Sequence, residues 1–176
     1  NLLRSHGITR DKEIMSKIDD GAWYYEQVEL GFNYRMTDLQ AALGCSQLER
    51  LDRFVSKRHD IAKRYNTLLA GLPLEAPWQH QDGYSSYHLY VIRLNLGSIK
   101  KSHSEIFQSL RDHGVGVNLH YIPIHTQPYY QRMGFKRGSF PEAERYYSEA
   151  ISLPIFQGLT NDQQDIIARK VENVLQ

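Results

Sequence analysis

The sequence has 176 residues and a formal net charge of +1. No Lys/Arg run is longer than two, which argues against a nucleic-acid-binding stripe or a polybasic membrane patch, so neither nucleic acid nor membrane is expected as a partner. The single cysteine, Cys45, excludes an internal disulfide and fits a reducing compartment. No signal peptide and no apolar run of membrane-spanning length is visible, so the expectation is a soluble, cytoplasmic protein. The length suits one medium domain, or a domain plus part of another, and is enough to bury a core.

The opening NLLRSHG reads as the end of an element closing on Gly7. A domain rarely starts by finishing something, so a fragment or a processed product is expected. Residues 8–30 are polar and irregular and read as a surface loop with room for a short helix, and the cluster Trp23, Tyr24, Tyr25 is suited to packing on a neighbour. Thr37 and Gln40 have the spacing of a capping box, in which the hydroxyl and the amide each satisfy a free N–H of the helix start. Apolar or small residues then recur at 41, 44, 48, 51, 55, 62, 65 and 69, a three-four alternation interrupted at Arg58 that can bury one helix face. Continuous to Ala70, such a helix would be on the order of 50 Å long at about 1.5 Å per residue. That exceeds a compact domain, so it either breaks near Asp52 or bridges two domains, and Gly71 and Pro73 end it.

Residues 73–86 read as a linker and SYHLYVIRL as a strand. Ser102 and Glu105 open a helix running to Gly114. VGVNLHY reads as a second strand, with Val115, Val117 and Leu119 on one face and Asn118 and His120 on the other. PIHTQPYYQRMGF reads as a loop holding one helical turn. Ser139 and Glu142 form a third capping box, for a helix to Ile151, followed by the short extended SLPIF. Thr160 and Gln163 open the last helix, with Ile167, Val171 and Val174 inward. Strands alternating with helices predict an α/β sandwich on a small sheet.

For chemistry, the eight histidines lack HExxH or any cysteine-pair pattern, so no metal site is expected. Cys45 reads as a small hydrophobe near the helix seam, and no GxSxG elbow or P-loop is present. Asn33 and Arg35, just ahead of the Thr37 helix start, stand where free N–H groups and the helix dipole attract anions. Two readings stand: the pair holds a phosphate, or Asn33 makes a turn while Arg35 pairs with Asp38 or Glu49. HYIPIH, at a strand end, is either a binding loop on a rigid support or a packed Tyr beside a solvent-facing His.

Five segments, LLRSHGITRD, GFNYRMTDLQAALGCSQLERLD, YHLYVIRL, VNLHYIPIHTQPYY and AERYYSEAISLPIFQGLT, together resemble the DegT/StrS family of sugar-nucleotide aminotransferases, in the family's order and over most of the chain. The resemblance implies the C-terminal part of a fold-type I pyridoxal 5′-phosphate (PLP) enzyme. Residues 1–50 would be the tail of the large PLP-binding domain with an interface loop, 51–70 a bridging helix, and 71–176 a small C-terminal α/β domain. It implies a homodimer that moves an amino group from glutamate to a keto sugar on a nucleotide. By the match, Asn33 reaches across the dimer to the cofactor phosphate, Arg35 supports that loop or touches substrate, and Tyr121, His125 and His120 contact the sugar nucleotide. The family's Schiff-base lysine and pyridine-facing carboxylate lie upstream of RSHG. None of the lysines here, at 12, 17, 57, 63, 100, 101, 136 and 170, matches that position. No catalytic residue is therefore expected in this chain, which alone should be inactive. The alternative is a stand-alone dimerising or binding module whose motifs are relics.

Overall fold

The computed structural model describes residues 1–16 and 23–176; Lys17 and the rest of 17–22, part of the stretch read as a loop, lie outside the described residues. The chain divides into two compact units, Asn1–Arg50 and Leu51–Gln176.

The first unit is tied together through its backbone. Strand β1 (Ile8–Thr9) pairs antiparallel with β2 (Glu26–Gln27), so the stretch expected to be a loop carries a short ladder at its ends. Beside it, Ser5 bridges Asn33, and the N–H groups of His6, Phe32 and Tyr34 donate to the carbonyls of Phe32, Leu3 and Arg4 at 2.9, 2.7 and 3.0 Å. Two glycines make this crossing possible. A Cβ on Gly7 would stand 1.7 Å from the Glu29 carbonyl oxygen, and one on Gly31 would stand 2.3 Å from the Gly7 nitrogen. Gly7 also sits at φ +71°, as a residue closing the opening turn should.

Helix α1 (Asp38–Leu48) starts at the expected capping box: Gln40 N–H donates to Thr37 Oγ1 and Thr37 N–H to Gln40 Oε1. None of its side chains is buried. The long helix of the sequence pattern is in fact two helices, α1 and α2 (Leu51–Leu68). Arg50 is at the break. Its Nε donates to the Ser46 carbonyl that its own N–H would take in a continuing helix, and that N–H turns to Gln47 instead. The expected seam is buried only in its second half, where Ala62, Tyr65 and Leu69 are inside, joined by Ile61 from outside the seam, whereas positions 44, 48 and 51 are exposed.

The second unit is built on a three-stranded antiparallel sheet in the order β3 (Leu74–Glu75), β4 (Tyr90–Leu94), β5 (Ala150–Leu153). On β4, Tyr90, Ile92 and Leu94 alternate inward and pack with α2, α3 (His103–Asp112) and α6 (Asn161–Leu175) in one core. Arg93 points the other way and pairs with Glu149 of α5 (Pro141–Glu149), so α5 covers the opposite face. β3 shows that the presumed linker at 73–86 begins with an edge strand. The boxes at Ser102–Glu105 and Thr160–Gln163 form as read. That at Ser139–Glu142 does not: Pro141 occupies the first helical position, Phe140 is the cap residue, and no side chain caps the start.

The strand expected over VGVNLHY is also absent. Val115 and Val117 are buried and alternate as predicted, yet only Asn118 bridges Ser152 of β5. Asn118 Oδ1 accepts the Leu119 N–H at 2.8 Å, withdrawing the next donor from any ladder. The small α/β core stands as predicted, with residues 115–121 forming a loop that touches β5 through one bridge.

Candidate functional site

The residues singled out fall into two groups, one in each unit. Asn33 lies in the extended segment that crosses residues 3–6, held by the Ser5 bridge rather than placed in a turn. Its side chain is exposed and makes no hydrogen bond to any described residue. Among the described residues Arg35 forms no ion pair, so the pairing with Asp38 or Glu49 is not made. Phe32 and Tyr34 alternate with them and stack at 5.1 Å on the other side of the segment. At the helix start the capping box takes the N–H groups of Thr37 and Gln40, and Asp38 places a carboxylate in the first turn. Ahead of it, the side-chain groups able to donate to an anion are the NH2 of the Asn33 amide and the Arg35 guanidinium.

The second group lies on the loop 119–127, which includes a 3₁₀ turn at Ile124–Thr126 and leads into α4 (Pro128–Arg132). His120 Nδ1 shares a hydrogen bond with Ser152 Oγ on β5 at 2.8 Å. Tyr121 is 72% exposed, so the packed-tyrosine reading does not hold. His125, in contrast, is only 7% exposed and its Nε2 meets Glu144 Oε1 at 2.7 Å, so it is not a solvent-facing histidine either. The same carboxylate oxygen accepts the Gly138 N–H at 2.6 Å. These two bonds, His125 first, hold the Glu144 carboxyl below its ordinary value of 4.5. The rings of Phe140, Phe135 and Tyr130 continue outward from His125, and together with Pro123, Ile124 and Ala143 they line an apolar cavity of 340 Å³. Sequence reasoning missed Glu144; its only signal was an acid in the first turn of α5. Cys45, expected at a buried seam, is exposed. Among the described residues no three His, Cys, Asp or Glu side chains are grouped to hold a metal ion, and no helix is long and apolar enough to cross a membrane.

Residues 1–172 match the sequence profile of the DegT/DnrJ/EryC1/StrS aminotransferase family. The chain belongs to that family. The spore coat polysaccharide biosynthesis protein SpsC of Bacillus subtilis is 38% identical over 159 residues, covering 89% of this chain and 41% of its own. Among solved structures, the putative sugar aminotransferase Spr1654 of Streptococcus pneumoniae, in its PMP form, superposes with a TM-score of 0.87 at 30% identity, covering 98% of this chain and 43% of that one. Helicobacter pylori PseC, an aminotransferase involved in pseudaminic acid biosynthesis, superposes with a TM-score of 0.86 at 27% identity, covering 99% and 44%. The chain thus spans less than half the length of these DegT-family relatives and shares the fold of PLP-dependent sugar aminotransferases over that span. The Asn33 amide and the Arg35 guanidinium are exposed and have no side-chain partner among the described residues, a donor set of the kind a phosphate takes.

Proposed function

We propose that these residues serve a PLP-dependent aminotransferase that moves an amino group from glutamate to a keto sugar carried on a nucleotide, in the cytoplasm, for amino-sugar biosynthesis of surface glycans. The single observation that carries the reading is the Asn33–Arg35 pair, pinned by backbone bonds with both side chains presented outward, in a chain matching the family over residues 1–172. When bound, PLP supplies the electron sink that lets an amino group pass from donor to acceptor. Asn33 donates to the cofactor phosphate of a second copy in a homodimer, and Arg35 supports that segment or meets the substrate's own phosphates. Tyr121 and His120 meet the sugar nucleotide. His125, committed to Glu144, holds their loop. Residues 1–176 contain no Schiff-base lysine at the family's position and by themselves do not catalyse transfer. The likeness to PseC, an aminotransferase of pseudaminic acid biosynthesis, favours a precursor of that sugar as acceptor; by the family resemblance this would be a UDP-linked 4-keto-6-deoxy sugar, giving UDP-4-amino-4,6-dideoxy-N-acetyl-β-L-altrosamine.

The test uses the full-length protein with PLP, glutamate and a UDP-linked 4-keto-6-deoxyhexose. The expected products are 2-oxoglutarate and the 4-amino sugar, in equal amounts. Asn33→Ala should weaken PLP retention by about tenfold or more, the worth of one hydrogen bond to a charged group. Failure to aminate any nucleotide-linked keto sugar, or an Asn33→Ala protein that holds PLP as tightly as the parent, would sink the reading.

A further inference from the structure

The loop from 119 to 127 is tied to the rest of its unit in an unusual way. Its backbone bonds are all local: Thr126 N–H to the Pro123 carbonyl, Gln127 N–H to the Ile124 carbonyl, and at its ends Leu119 N–H to Asn118 Oδ1 and the Gln131 N–H of α4 to the Gln127 carbonyl. Among the described residues, two bonds of its side chains reach distant segments: His120 to Ser152 at its start and His125 to Glu144 at its end. Between them Tyr121, Ile122 and Ile124 face solvent. Glu144 is the less replaceable anchor, because one oxygen, Oε1, serves two segments. It accepts from the His125 ring and from the N–H of Gly138, whose φ of +86° turns the chain toward the helix start. The carboxylate lies in the first turn of α5, where the helix dipole favours negative charge.

We propose that Glu144 is a positioning residue for sugar-nucleotide binding: by clamping His125 and Gly138 together it fixes the loop that presents His120 and Tyr121. This deepens the functional reading above and rests on it for the identity of the ligand. Glu144 does not touch substrate. Its effect is therefore on affinity for the sugar nucleotide rather than on turnover.

The experiment compares Glu144→Ala and Glu144→Gln in the full-length protein by two independent readouts. The first is steady-state kinetics with glutamate and a UDP-linked 4-keto-6-deoxyhexose. Glu144→Ala should raise KM for the sugar nucleotide about tenfold with kcat within about twofold, the scale of losing a charge-assisted hydrogen bond. KM for glutamate should stay unchanged, and Glu144→Gln, whose amide oxygen still accepts both bonds, should recover most of the loss. The second readout is amide hydrogen exchange without substrate, in which Glu144→Ala should speed exchange at 120–126 and at Gly138. Should Glu144→Ala not fold, Glu144→Asp, one methylene short of its partners, carries the same comparison. Unchanged exchange overturns the clamp. Faster exchange with an unchanged sugar-nucleotide KM overturns the link between loop and ligand. A parent protein that aminates no nucleotide-linked sugar defeats the functional reading instead, while the exchange result still decides the clamp.

Discussion

The two units are held in order by different physics. In Leu51–Gln176, Tyr65, Tyr90, Ile92, Ile106 and Ile151 are essentially without solvent contact, and three helices close over one sheet face. In Asn1–Arg50 the only fully buried described residue is a glycine, and order comes from crossed backbone hydrogen bonds that two glycines let approach. Meanwhile Leu39 is 85% exposed and Leu43 63% on a helix with a sound cap. A hydrocarbon core makes a segment self-sufficient; a hydrogen-bonded crossing fixes a shape while leaving its apolar side chains outward. The second unit is therefore expected to be the stable one.

That contrast can be broken most forcefully in the core. Ile92 and Ile151 face each other across β4 and β5, both at 0% exposure. Ile151→Ala should cost about 2–5 kcal/mol, read as a lower urea midpoint for the second unit. Only a negligible shift would show that the packing is loose.

Alkali probes the same core through its phenols. Burial pushes the Tyr65 and Tyr90 hydroxyls well above the ordinary tyrosine value of 10.0, with Tyr65 donating to the Pro154 carbonyl and Tyr90 to Asn66 Oδ1. Because the folded form keeps its proton longer than the unfolded form, their contribution is complete below pH 10 and is lost as pH rises beyond it. Stability measured from pH 8 to 12 should fall more steeply for the parent than for Tyr65→Phe.

In the first unit the leverage is smaller. Thr37→Ala removes the α1 cap and should cost that helix about 1 kcal/mol, visible as faster exchange in its first turn. Smallest of all, Leu43→Ala in the 176-residue chain should change stability by less than about 0.5 kcal/mol, since nothing buries it. A large loss there would mean that α1 is covered in solution and would erase the difference between the units.

Much of this was legible in the sequence because it is local. The boxes at 37–40, 102–105 and 160–163 need only two side chains at the right spacing, and α6 buries the residues its period predicts. The box at 139–142 failed because Pro141 fixed the helix start first. The strand at 115–121 is reduced to one bridge at Asn118, whose own side chain takes the Leu119 N–H. Neither competition shows in hydrophobic periodicity. The same limit applied to the candidate site. Asn33 and Arg35 stood out through their place before a helix, whereas the partner that claims His125 comes from a carboxylate 19 residues further on. The break at Arg50 likewise depends on a side chain reaching back to Ser46.

Gln164 carries a consequence of another kind. It is the large polar side chain in the core, 1% exposed, and its Nε2 donates to the Ile61 carbonyl of α2 at 3.0 Å. The apolar stripe on α6 would tolerate sliding along α2 by a turn, since greasy surfaces fit one another at many offsets. The amide would not, because any other offset leaves a polar group sealed away from water at a cost of about 1–3 kcal/mol. One glutamine thus works like a detent on a sliding bolt: it adds little to the strength of the joint, yet it decides where the joint comes to rest.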